Sequence, residues 1–225
     1  MNNTVEMNLN GQNLPNNNGS GYPNNLAAAN YAINQLAARR WSPREFDENR
    51  PVEMNKVFAL LEAARWAPSC FNEQPWNYLV FDNSNPDALR RARNCLIGFN
   101  SWAEKAPVLM LSVARENFNN GGKPNRHAQH DLGLASQNLV LEAVNQGLVA
   151  HQMGGFDLAR ARREFNIPAS CTPMAMIAIG YPFNNARNNL ANRFRSNNEN
   201  QVRQRQPIET FAFRGNWKIP YNENQ

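Results

Sequence analysis

The run Ala106-Pro107-Val108-Leu109-Met110-Leu111-Ser112-Val113 is almost continuously apolar. A strand with one wet face alternates polar and apolar residues, whereas a strand that loses this alternation is covered on both sides. The run therefore demands a sheet interior and enough helix to bury it twice. Tyr78 to Phe81 and Met174 to Ile179 read the same way, the second halted by Gly180-Tyr181-Pro182. Helical periodicity supplies the covers. Leu26, Ala29, Ile33, Leu36 and Ala37 predict a helix over 26–40, and Val57, Leu60, Leu61 and Ala64 predict one over 53–65. Leu132, Ala135, Leu139 and Ala143 mark a long helix from about His127 to Gln146, with Gly147 as its stop. Asn85-Pro86 opens another helix, and Asp157 caps a short one running through Phe165. Ile208, Phe211 and Phe213 predict a late strand. Interior strands separated by helices give α/β or α+β, a central sheet flanked by helices.

A chain of 225 residues suits one domain. Residues 1–25 carry Asn, Gly and Pro with little periodicity and are expected to be a disordered Asn-rich tail, leaving 26–225 as the domain. The net charge of +5 allows an anionic partner, and arginine, which dominates lysine, suits bidentate phosphate binding. No Lys/Arg block of nucleic-acid type appears. Cys70, Cys95 and Cys171 are odd in number and lack CxxC spacing, which argues against a disulfide framework or zinc. No signal-like or membrane-length apolar segment is present, so a cytoplasmic setting is expected.

Four segments look like ligand-facing groups. In Arg40-Trp41-Ser42-Pro43-Arg44 two arginines flank a hydroxyl beside a helix end, a credible phosphate clamp. Ala67-Pro68-Ser69-Cys70-Phe71-Asn72-Glu73-Gln74-Pro75-Trp76 is a rigid connection, since its prolines remove backbone donors and bias their predecessors to extended geometry. His151-Gln152-Met153-Gly154-Gly155 ends in two glycines, which let a flat ligand approach the backbone closely. Arg203-x-Arg205 projects both cations to one side if extended. Taken singly, each also reads as a solvated helix end or a plain turn.

Together, in this order, they resemble the FMN-dependent nitroreductase family over about residues 32–213. The resemblance rests on Arg40-x-Ser42-x-Arg44-x-Phe46, on Ala-Pro-Ser-x-x-Asn-x-Gln-Pro-Trp at 67–76, on Ala106-Pro107-Val108, on Gly147-Leu148 leading to Gly155-Phe156-Asp157, and on Arg203-x-Arg205-x-Pro207. It implies an α+β sandwich with a central mixed sheet, a homodimer, and FMN at the subunit interface. It further implies that Arg40, Trp41, Ser42 and Arg44 meet the FMN phosphate and ribityl, with Arg203 and Arg205 completing the anion site. Pro68, Ser69, Cys70 and Asn72 would reach the partner's flavin. Gln152, Met153, Gly154 and Gly155 would run along the isoalloxazine, with Asn100 near its pyrimidine edge. Many members carry an acidic residue where this chain has Gly154, while Trp41 and Cys70 replace commoner small or polar residues.

The implied activity is ping-pong hydride transfer from NAD(P)H, through flavin N5, to a nitroaromatic, quinone or similar acceptor. Since the chemistry belongs to the flavin, no catalytic side chain is assigned. Relatives that dehalogenate or break down flavin are the alternative, disfavoured by the short 116–126 region where they carry a lid. A basic nucleic-acid binder is the reading from another class. His127 and His130, spaced i, i+3, lack a third ligand of plausible spacing, so no metal is expected.

Overall fold

The computed structural model describes residues 26–183 and 203–222, so the predicted tail at 1–25 lies outside the described residues. The elements are α1 (Gln35–Arg39), α2 (Met54–Arg65), β1 (Trp76–Phe81), α3 (Pro86–Arg93), β2 (Val108–Arg115), α4 (Ala128–Asn145), β3 (Val149–Met153), α5 (Leu158–Glu164) and β4 (Cys171–Gly180). The strands form one sheet in the order β1-β2-β4-β3.

Alternation along the central strands divides the core in two. Leu109, Leu111 and Val113 of β2 and Met176 and Ala178 of β4 face one layer, with Leu89 and Ala92 of α3 and Ala161 of α5. Val108 and Met110, with Ile177 and Ile179, face the other, against Val57, Leu60 and Ala64 of α2 and Leu139 and Ala143 of α4. This is the α+β sandwich that the apolar run requires. Its register shifts between Ser112 and Val113, where the buried Ser112 hydroxyl accepts from the Ala175 N–H and donates to its carbonyl, each at 3.1 Å. The hydroxyl thus satisfies backbone groups beside the bulge.

Local signals end the elements where expected. Asn85 and Asp157 cap α3 and α5, accepting from the N–H groups of Ala88 and Arg160. Gly147, at φ +74°, takes the left-handed turn after α4.

Three expectations need correction. The sheet is not mixed: all three pairings among the described residues are antiparallel. Between β1 and β2, α3 and the 3₁₀ segment Gly98–Lys105 pack on each other and return the chain to the end it left. The helix predicted over 26–40 shrinks to α1. Ala27 N–H donates to the Ala38 carbonyl at 2.9 Å, a closure that a continuous helix, with those residues ~16 Å apart, forbids. Leu26, Ala29, Ile33 and Ala37 are exposed, so that periodicity finds no core among the described residues. The late strand is instead a 3₁₀ turn at Ile208–Thr210, closed by Thr210 Oγ1 on the Pro207 carbonyl, and Phe213 makes only a bridge to Pro220.

Leu60, fully buried between α2 and the sheet, sets the most direct test of this packing. Leu60→Ala is expected to lower unfolding free energy by about 3 kcal/mol, read by urea denaturation. A loss within experimental error would contradict the assigned core.

Candidate functional site

The chain leaves α1 in extended geometry at Arg40, whose Nη1 donates to Ser42 Oγ at 3.0 Å. Arg203 comes back to this corner from the far end of the chain. Its two terminal nitrogens donate to the carbonyls of Arg40 and Ala38, each at 2.5 Å. Arg205, exposed two residues on, donates to the Gln204 carbonyl. Burial, and after it Arg205, pushes the Arg40 guanidinium below its ordinary pKa; burial, then Arg40 and Arg205, does the same to Arg203. Arg205 thus acts on both Arg40 and Arg203, and among the described residues no carboxylate pairs with any of the three.

Two donors here, Trp41 Nε1 and Arg203 Nε, are buried without an acceptor. Such groups cost about 1–3 kcal/mol each unless one arrives. Cations without counter-charge and N–H groups without acceptors are the donor set of an anion site, and they fit a phosphate. A groove of about 950 Å³ opens over Arg40, Arg203 and Arg205, between Ala27–Tyr31 and the Pro207–Ile208 turn.

A second cluster forms where β3 ends. Met153 is buried, Gln152 and Gly154 are exposed, and Gly155 is partly covered. Asn100, buried in the 3₁₀ segment, donates from Nδ2 to the Gly155 carbonyl at 2.7 Å. A Cβ on Gly155 would lie 2.5 Å from the Phe99 ring and 2.8 Å from Asn100 Nδ2, whereas a Cβ on Gly154 meets nothing within 4 Å. Gly155 is thus fixed by close packing, while Gly154 leaves open space above the backbone. His151, two residues upstream of Met153, reaches the first cluster, with Nδ1 2.8 Å from the Pro43 carbonyl. Burial lowers its pKa most; Arg44 and Arg40 lower it further, and the bond to Pro43 opposes them.

The 67–76 segment stands elsewhere. It leads into β1, one edge of the sheet, whereas His151 to Met153 belong to β3, the opposite edge, three strand spacings or roughly 14 Å away, and Gly154-Gly155 follow directly from it. Its shape is held from within and from α4. Ser69 Oγ accepts from the Gln74 N–H at 3.0 Å, and the Cys70 N–H donates to buried Asp131 at 2.9 Å. Phe71, Asn72 and Gln74 all take positive φ, between 50° and 56°. Phe71 is 89% exposed and meets only the edge of Phe118 among the aromatic rings.

The structure therefore brings Arg40, Trp41, Ser42, Arg203 and Arg205 together, with Arg44 close enough to act on His151. It brings Asn100 to Gln152–Gly155, and it leaves Pro68, Ser69, Cys70 and Asn72 at the other edge. The roles of Asp131 and Phe118 escaped the sequence reading, because they act on residues 61 and 47 positions away and no local pattern announces such a contact.

A family profile described as "Nitroreductase family" matches residues 37–181. An "Uncharacterized 15.4 kDa protein in ask 5'region" of Mycolicibacterium smegmatis is 35% identical over 54% of this chain and 78% of its own length. A protein of Thermus thermophilus named NADH dehydrogenase is 28% identical over 65% of this chain and 84% of its own. A solved structure described as an oxidoreductase containing FMN superposes with a TM-score of 0.76 at 28% identity, covering 88% of this chain and 98% of that one.

The two adjacent glycines should respond in opposite ways. Gly155→Ala is expected to cost about 2 kcal/mol through its clash with Phe99 and Asn100. Gly154→Ala should stay within about 0.5 kcal/mol of the parent. Thermal melts of both variants check this, and equal melting points would contradict the packing described.

Proposed function

The chain belongs to the nitroreductase family of oxidoreductases, and from that premise we propose that it binds FMN and uses it to pass hydride from NAD(P)H to a nitroaromatic, quinone or similar acceptor. The observation that carries this reading is the cluster of Arg40, Arg203 and Arg205 without a carboxylate among the described residues, beside the unpaired Trp41 and Arg203 donors. When bound, the flavin would supply the redox chemistry, carrying hydride between the nicotinamide and the acceptor.

The chain's own residues bind and orient. Arg40, Arg203 and Arg205 neutralise the phosphate, with Ser42, Arg44 and the Trp41 indole N–H around it. Gln152, Met153, Gly154 and Gly155 lie along the ring, where Gly154 leaves the backbone open to a flat ligand. Asn100 stiffens this edge through Gly155.

The second half of each site comes from a second copy in this reading. Pro68, Ser69, Cys70 and Asn72 lie across the sheet from their own chain's ring turn, so they serve the partner's. Met54 and Phe58, one turn apart on α2, and Trp66 at its C-terminal cap are large, apolar and exposed, as a subunit face would be.

Purified protein is expected to be yellow, to release FMN on denaturation and to oxidise NAD(P)H when a nitro compound is present. A colourless protein that takes up no added FMN would sink the proposal. Arg205→Ala, which removes a charge that among the described residues bonds only its neighbour's carbonyl, should weaken FMN binding about tenfold by fluorescence titration. For the dimer, Phe58→Glu combined with Trp66→Glu should shift sedimentation from two subunits to one. A parent that sediments as a monomer at micromolar concentration would defeat that part.

A further inference from the structure

His151 is the one residue described whose side chain bonds the phosphate cluster's loop from the strand that delivers the ring turn. The Pro43 carbonyl can only accept, so Nδ1 carries the proton and donates to it at 2.8 Å. On one side Pro43 sits next to Ser42 and Arg44 and three residues past Arg40; on the other, β3 runs two residues from His151 to Met153 and then into Gly154-Gly155. The imidazole is held against the Trp102 ring, with centroids 4.6 Å apart, and Trp102 stacks in turn on Phe46. Trp102 belongs to the same 3₁₀ segment as Asn100, which grips Gly155. The ring therefore has few orientations open to it, and its bond to Pro43 is directional.

We propose that His151 is a positioning residue that holds the Arg40–Arg44 loop in register with the Gly154–Gly155 turn, so that the two ends of one bipartite ligand are met at once. This rests on the FMN reading above. A ligand with a charged end and a flat end gains from both clusters only if their separation is fixed before it arrives. Without the strap, the loop carries its arginines but no longer holds them at a set distance from the ring turn. The ring end would then bind as before, while the phosphate would add less.

Riboflavin, which has the ring and lacks the phosphate, separates these effects. The measurement is the ratio of riboflavin to FMN dissociation constants, by fluorescence titration of flavin-free protein. His151→Phe keeps a ring against Trp102 but has no donor, and His151→Ala serves if Phe does not fold. His151→Asn places an amide N–H where Nδ1 stood. The ratio is expected to fall about tenfold in the Phe and Ala variants, through weaker FMN binding at unchanged riboflavin affinity, and to recover in Asn. A purely structural role would weaken both flavins together and leave the ratio alone. An unchanged ratio in Phe and Ala, or an equal fall in Asn, would overturn the inference. If the parent protein binds no FMN, the reading beneath it fails first and is recognised as such.

Discussion

A strand with no wet face sets the terms for the rest of this molecule. β2 is buried from Val108 to Ala114, so its two rows of side chains must each find a separate partner layer. One row takes α3 and α5, the other α2 and α4, and β4 beside it repeats the same division. Once both faces are committed to the core, little of the sheet's surface is left for ligand chemistry. The polar groups collect where strands end and along the outer strands β1 and β3.

At those margins the physics changes from burial to charge. Burial and then Arg205 lower the proton affinity of Arg40, and burial, Arg40 and Arg205 lower that of Arg203, a crowding of charge that an entering anion would relieve. The contrast with Arg115 is instructive. Its Nη2 meets a Glu73 carboxylate at 3.0 Å, so that charge is answered within the chain. Ion pairing is thus available to this sequence, and among the described residues none reaches the three arginines at the groove.

How much could be read beforehand follows from the range of each interaction. The apolar run of β2, the caps at Asn85 and Asp157 and the stop at Gly147 depend on neighbours a few residues away, and all were legible. The helix expected at 26–40 failed because spacing reports which residues share a face and not whether anything covers it; Leu26 and Ile33 have no cover in the described chain. Strand direction was also hidden, because it depends on where α3 and the following 3₁₀ segment return the chain. Of the site, the residue types and their grouping came through the family resemblance, but the bonds that hold the groups together were not visible in the sequence. The Arg203 bonds to the 38–40 backbone span more than 160 residues, and the His151 bond to Pro43 spans 108.

The loop at 70–74 holds three non-glycine residues in left-handed geometry, a shape their side chains disfavour by about 1–2 kcal/mol each. Left to themselves these residues would adopt another conformation. What keeps them is a pair of bonds, one from α4, the Asp131 carboxylate on the Cys70 amide, and one from within the segment, the Ser69 hydroxyl on the Gln74 amide. The loop's form is thus imposed when the chain folds, and it does not wait for a ligand. Phe71 is thrust into solvent from a backbone already held, so whatever meets it finds the chain beneath set in place, with little backbone entropy left to lose on contact.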